Sequence, residues 1–111
     1  IAAAGFLIAR CAGEDKYFDV VHDIMASQRE WQAGVQPRTT LYRIGQAAGL
    51  STEQIDTCVR DKDAIAAMEE RIRAGVAAGV AGTPTFMVNG VKINDPSLAG
   101  LSAVIDAELA K

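Results

Sequence analysis

A chain of 111 residues is long enough for one domain with a real core and too short for two independent ones. Half of the residues are hydrophobic, which argues against disorder, and much of that half is alanine, a strong helix former. The formal charge of -3 leaves no basic footprint, which speaks against nucleic acid and anionic membrane surfaces as partners.

The opening run Ile1–Ala9 is apolar but far shorter than the roughly 20 residues a membrane-spanning helix needs, so no membrane insertion is expected. It lacks the cationic start of a secretory signal, and Arg10 before Cys11 does not fit a lipoprotein signal. The first residue is Ile1 rather than methionine, and the beginning of the protein is therefore expected to lie upstream.

Ala2–Ala12 reads as a helix that is apolar on nearly every side and ends at Gly13. A second helix over Asp15–Trp31 places Tyr17, Phe18, Val21, Ile24 and Met25 on one stripe, with Asp19, Asp23 and Arg29 off it. Gly34–Arg38 is a linker, because Pro37 has no amide donor and pushes Gln36 out of helical geometry. Thr39–Ala48 forms a third helix closed by Gly49.

Ser51-Thr52-Glu53-Gln54 matches a capping box, in which the Ser51 hydroxyl and the Gln54 side chain satisfy opposing backbone amides. The fourth helix that starts there runs to about Arg60, and Asp61 or Asp63 caps a fifth extending to Ala78. On the fifth, Ile65, Met68, Ile72 and Val76 recur at helical spacing, Glu69 and Arg73 form an i,i+4 pair, and Gly79 supplies the stop. The period then changes. Thr85–Val88 and Val91–Ile93 flank Asn89-Gly90, the strongest short-range hairpin signal. Asp95-Pro96 reads as a cap and first turn of a last helix with Leu98, Leu101, Ile105 and Leu109 on one side. Two strands alone make a marginal sheet, and something should pair with this hairpin.

The segment Val80-Ala81-Gly82-Thr83-Pro84-Thr85-Phe86-Met87-Val88-Asn89-Gly90 carries the most information. Taken alone, Pro84 is most often an ordinary loop proline; placed just before a strand it is accommodated most easily by a cis bond. A glycine-ended helix, Gly-Thr-Pro, a short β-branched and aromatic strand, and Asn-Gly together resemble the cis-proline loop and hairpin of DsbA-like thioredoxin-fold thiol:disulfide oxidoreductases. The resemblance covers nearly the whole chain. Ala9–Phe18 with Val21-His22-Asp23 looks like the start of that family's helical insertion, Gly49-Leu50, Ile55-Asp56 and Cys58 like its next helix, and Leu101–Leu109 like its terminal helix.

The resemblance implies an α/β, thioredoxin-like fold of DsbA type with a helical insertion, this chain being mostly helical with one β-hairpin. Residues 1–80 would form the insertion and 81–111 the C-terminal part of the thioredoxin-like domain. It further implies that the Thr83 backbone pairs with an extended substrate peptide while Pro84 lies against the active-site sulfurs. The family's chemistry belongs to a Cys-x-x-Cys pair, whose first thiolate is stabilised at a helix N-terminus. No such motif occurs here, so no catalytic residue is assigned within the chain.

Cys11 and Cys58 lie inside expected helices with no evident cause for a depressed pKa, which makes them poor nucleophiles. Three readings stand: buried free cysteines, a structural disulfide favoured by the oxidising compartment the resemblance implies, or a redox pair. The single histidine, His22, excludes a histidine-rich metal site and reads as a partly exposed helix residue. Glu69-Glu70 reads as solvated surface, and Trp31 as packing at a helix end. No serine–histidine–acid set or phosphate-binding glycine loop can be assembled, and no cofactor is implied.

The leading expectation is a thiol:disulfide oxidoreductase of extracytoplasmic, periplasmic type. Its partners would be cysteine-containing polypeptides and a membrane or soluble redox partner. A non-catalytic structural or peptide-binding fragment, and a kappa-type glutathione transferase or isomerase on the same scaffold, are the alternatives. The unpaired hairpin edge leaves a domain-swapped or edge-paired dimer open.

Overall fold

A computed structural model describes all residues, Ile1–Lys111. The elements in order are α1 (Ala2–Cys11), α2 (Glu14–Ala26), α3 (Gln28–Gln32), α4 (Pro37–Ala47), α5 (Thr52–Arg60), α6 (Lys62–Ala77), β1 (Met87–Val88), β2 (Val91–Lys92) and α7 (Leu98–Leu109). No helix is long and apolar enough to cross a membrane. The chain divides into two compact units, Ile1–Met68 and Glu69–Lys111. The division falls within α6, which buries none of its residues.

In the first unit α1 is the central element, packing on α2, α4 and α5. Its Leu7, Ile8 and Ala9 are buried together with Val20, Leu41, Ile44 and Ile55. Gly45 of α4 lets these helices approach closely. A Cβ there would stand 2.7 Å from Ile55 Cδ1, closer than real side chains pack, and 3.3 Å from Ile8 Cγ2, a tight contact. The α4 helix ends in a Schellman turn, with Gly49 N–H donating to Gln46 O and Leu50 N–H to Gly45 O. Gly49 takes the left-handed φ of 98° that this turn requires.

The capping box is present in full: Gln54 N–H donates to Ser51 Oγ at 3.1 Å, and Ser51 N–H to Gln54 Oε1 at 2.8 Å. Between α3 and α4, Thr40 Oγ1 donates to Glu30 Oε2 at 2.8 Å, and Arg43 Nη2 reaches Glu30 Oε1 at 2.8 Å. The Thr40 hydrogen bond, reinforced by Arg43, holds the Glu30 carboxyl below its ordinary pKa. The Tyr42 hydroxyl donates to Asp56 and Arg38 stacks over the Tyr42 ring at 4.2 Å. Lys16 Nζ donates to Ala48 O at 2.8 Å, tying α2 to the end of α4.

Several local expectations need correction. The second helix is two helices, broken at Ser27, whose hydroxyl donates back to Asp23 O at 2.7 Å and competes with the backbone ladder. Its buried side is also turned. Val20 is 2% exposed, whereas Phe18 and Met25 are 78% and 62% exposed. The contacts with α1 and α4 select the arc around Val20 and Ile24 from a helix that is apolar over a wide angle. Pro37 sits inside the first turn of α4, where its missing N–H costs nothing. The ion pair on α6 is Glu70–Arg73 at 2.8 Å, not Glu69–Arg73. The cap of α7 is Ser97, whose Oγ accepts from Gly100 N–H at 3.1 Å, while Asp95 accepts from Ser97 N–H.

Candidate functional site

Gly79, at φ 102°, ends α6 with a second Schellman turn and leads into the irregular segment 80–86. The Thr83-Pro84 peptide bond is cis, and both residues are exposed. Thr85 Oγ1 donates to Gly82 O, closing the loop across the proline. Thr85 itself is half-buried.

The hairpin that follows has a two-residue turn. Asn89 and Gly90 both have positive φ, 48° and 80°, the geometry of a type I′ connection, and the register pairs Met87 with Lys92 and Val88 with Val91. The ladder assigned as strand is shorter than the expected Thr85–Val88 and Val91–Ile93, although Ile93 N–H still donates to Phe86 O at 2.9 Å. Since antiparallel pairs alternate, the Phe86–Ile93 bond makes Met87 and Lys92 a pair whose own N–H and C=O groups point away from the hairpin. Each strand therefore offers backbone donors and acceptors on its outer edge.

Two side-chain ties fix the hairpin. Lys92 Nζ donates to Gly79 O at 3.2 Å, joining β2 to the end of α6, and Asn89 Nδ2 donates to Glu108 Oε2 at 3.2 Å in the last turn of α7. The Lys111 ammonium, then Asn89, hold the Glu108 carboxyl below its ordinary pKa. At Thr83 and Pro84 the loop offers backbone, a hydroxyl and a ring.

The cysteines lie elsewhere. Cys11, at the end of α1, and Cys58, in the last turn of α5, form a disulfide with Cα atoms 6.2 Å apart, inside the ordinary range. Cys58 is buried and Cys11 exposed. With both sulfurs in the bridge, neither is a free thiol. His22 is a surface residue, its Nδ1 3.5 Å from Asp23 Oδ1, and Trp31 packs its ring against the helical core with its indole N–H unpartnered. Sequence reasoning did not anticipate the exposed apolar row on α2. Its only signal was that Phe18 and Met25 share a ridge with neither Val20 nor Ile24.

A glycine-ended helix, a cis X-Pro loop, a tight hairpin and a terminal helix are the parts of a thioredoxin-like domain, preceded here by a helical unit. The chain belongs to a thioredoxin family: the family model described as "Thioredoxin" matches residues 2–107. It is 34% identical over 106 residues to a protein of Rickettsia bellii (strain RML369-C) named "Putative protein-disulfide oxidoreductase", the match covering 90% of this chain and 39% of that protein. Similarly described proteins of Rickettsia conorii and Rickettsia typhi are each 31% identical over 105 residues, covering 93% of this chain and 38% and 39% of theirs. The chain thus spans about two fifths of the length of these relatives. No solved structure matches it.

Proposed function

We propose that this chain is the substrate-docking part of a DsbA-type protein thiol:disulfide oxidoreductase that acts on polypeptides outside the cytoplasm. The observation that carries the reading is the exposed Thr83-Pro84 loop, set immediately before a hairpin with a free backbone edge, in a chain that matches the family over residues 2–107. In this reading the Thr83 backbone pairs with an extended segment of substrate, and Pro84 faces the reacting sulfurs. The sulfurs themselves belong to a Cys-x-x-Cys motif outside this chain. Its first thiolate attacks a substrate disulfide, a mixed disulfide forms as one substrate sulfur leaves as thiolate, and the second cysteine resolves it; oxidation of a substrate dithiol is the reverse. Cysteine-containing polypeptides are the substrates, and a separate redox partner resets the pair.

The Cys11–Cys58 bridge supports the extracytoplasmic assignment, since structural disulfides persist in oxidising compartments. The test compares the 111-residue chain with a longer form that includes Cys-x-x-Cys, in the dithiothreitol-driven reduction of insulin. The longer form is expected to catalyse it and this chain alone is not. Turnover by this chain, or inertness of the longer one, overturns the reading.

A further inference from the structure

The outer face of α2 exposes two large apolar side chains, Phe18 and Met25, with the exposed His22 between them. Phe18 and Met25 lie two helical turns apart on one ridge, about 10 Å along the axis. Beside Phe18 is a cleft of about 270 Å³ bounded by Arg10, Gly13, Glu14, Tyr17 and Phe18 itself. The Tyr17 and Phe18 rings meet edge to face at 5.1 Å, which gives the cleft an aromatic wall. Large aromatic and methionine side chains in this setting are what helical partners commonly anchor against.

Charge selects the occupant. Asp15, Asp19 and Asp23, spaced i, i+4, i+8, form an exposed row next to the apolar one. The helix carries four carboxylates against a single lysine, and that Lys16 is engaged with the Ala48 carbonyl. At the cleft Arg10 lies over the Phe6 ring, 5.8 Å from its centre. Antiparallel pairing of two copies of this face would set their aspartate rows against each other, which disfavours that arrangement. We infer that α2 docks a cationic amphipathic helix of a partner polypeptide. One apolar anchor fills the cleft beside Phe18, a second about two turns on rests against Met25, and lysines or arginines face the aspartate row. The inference does not depend on the thiol chemistry proposed above.

The probe is a fluorescein-labelled synthetic helix of about 18 residues, with a leucine stripe flanked by lysines, and a twin in which glutamates replace the lysines. Titration of the intact 111-residue chain is followed by fluorescence anisotropy. The lysine peptide is expected to bind and the glutamate twin not. Replacing Phe18→Ser together with Met25→Ser should weaken binding at least about tenfold. The set Asp15→Asn, Asp19→Asn and Asp23→Asn should lower affinity and flatten its salt dependence. These side chains are exposed, and an unchanged thermal midpoint confirms that the variants fold. Equal binding of both peptides, absence of binding, or full affinity in the Phe18/Met25 variant overturns the inference. So does a dimer of the unmodified chain in sedimentation that the Phe18/Met25 variant dissolves, because the occupant is then a second copy. None of these readouts involves insulin reduction, and the two proposals fail separately.

Discussion

Of the nine apolar side chains that are buried, eight lie between Leu7 and Cys58, and only Ile93 belongs to the second unit. The first unit is a helical cluster with interlocking Ile8, Ile44 and Ile55, a disulfide, and polar ties at Glu30 and Lys16. The second holds the latter part of α6, a two-residue ladder and α7, and it exposes Phe86, Val91, Leu98, Ile105 and Leu109. The contrast separates two ways of being ordered. The helical unit buries a shared core and leaves open only scattered apolar side chains such as Phe18 and Met25 of α2; the hairpin and α7 are set by turn chemistry and caps, with most of their apolar side chains left open. A scaffold of the first kind can be read as self-sufficient, whereas two strands need further strands or helices for independent stability.

Three changes would sharpen or break this contrast. The largest effect is expected from the bridge. Replacing both Cys11 and Cys58 by serine removes the constraint on a loop whose ends are 47 residues apart, worth up to about 4 kcal/mol by chain entropy. Urea unfolding followed by helix circular dichroism should show a loss of about 2 to 4 kcal/mol. A change below about 0.5 kcal/mol would mean that the core alone holds the first unit, since that is the range of neutral surface changes.

Next is the packing contrast. Ile55→Ala, at a side chain with no exposure, should cost about 3 kcal/mol, while Leu98→Ala on α7, 82% exposed, should stay within about 0.5 kcal/mol. Equal costs in denaturant titrations would erase the distinction between the units. The smallest effect concerns pH. Glu30 has its pKa lowered by the Thr40 hydrogen bond, reinforced by Arg43. Its contribution to stability is therefore present above the unfolded value of 4.5 and is lost as the pH falls through the lower folded value. Glu30→Gln should remove that contribution, lowering stability above the window and flattening the acid limb within it, so that the two proteins converge below the folded value. Urea midpoints measured across that range check the sign, and an acid limb as steep as that of the unmodified chain contradicts it.

Features set by neighbouring residues were legible in the sequence. The Ser51–Gln54 capping box, the Asn89-Gly90 turn and the glycine stops at Gly49 and Gly79 each follow from what a few adjacent residues do to one another. Features set by distant packing were not. Tyr17, Phe18, Val20, Val21, Ile24 and Met25 make α2 apolar over a wide arc, and only the positions of α1 and α4 decide which part is covered. The break at Ser27 and the choice of Ser97 over Asp95 as a cap turn on single hydrogen bonds that competing residues could equally offer. At the candidate site the Thr83-Pro84 loop stood out through its context, from the glycine stop to the hairpin. Its ties through Lys92 and Asn89 join residues far apart in the chain and left no local trace.

The bond between Cys11 and Cys58 also makes the chain between them a closed ring that takes in α2, α3, α4 and most of α5. Its most open stretch is the turn at Gly34 and Val35, which no helix covers. A single cut there opens the ring but releases nothing. The nicked molecule keeps its mass, apart from one water gained, and its two pieces remain one particle until a reductant parts them.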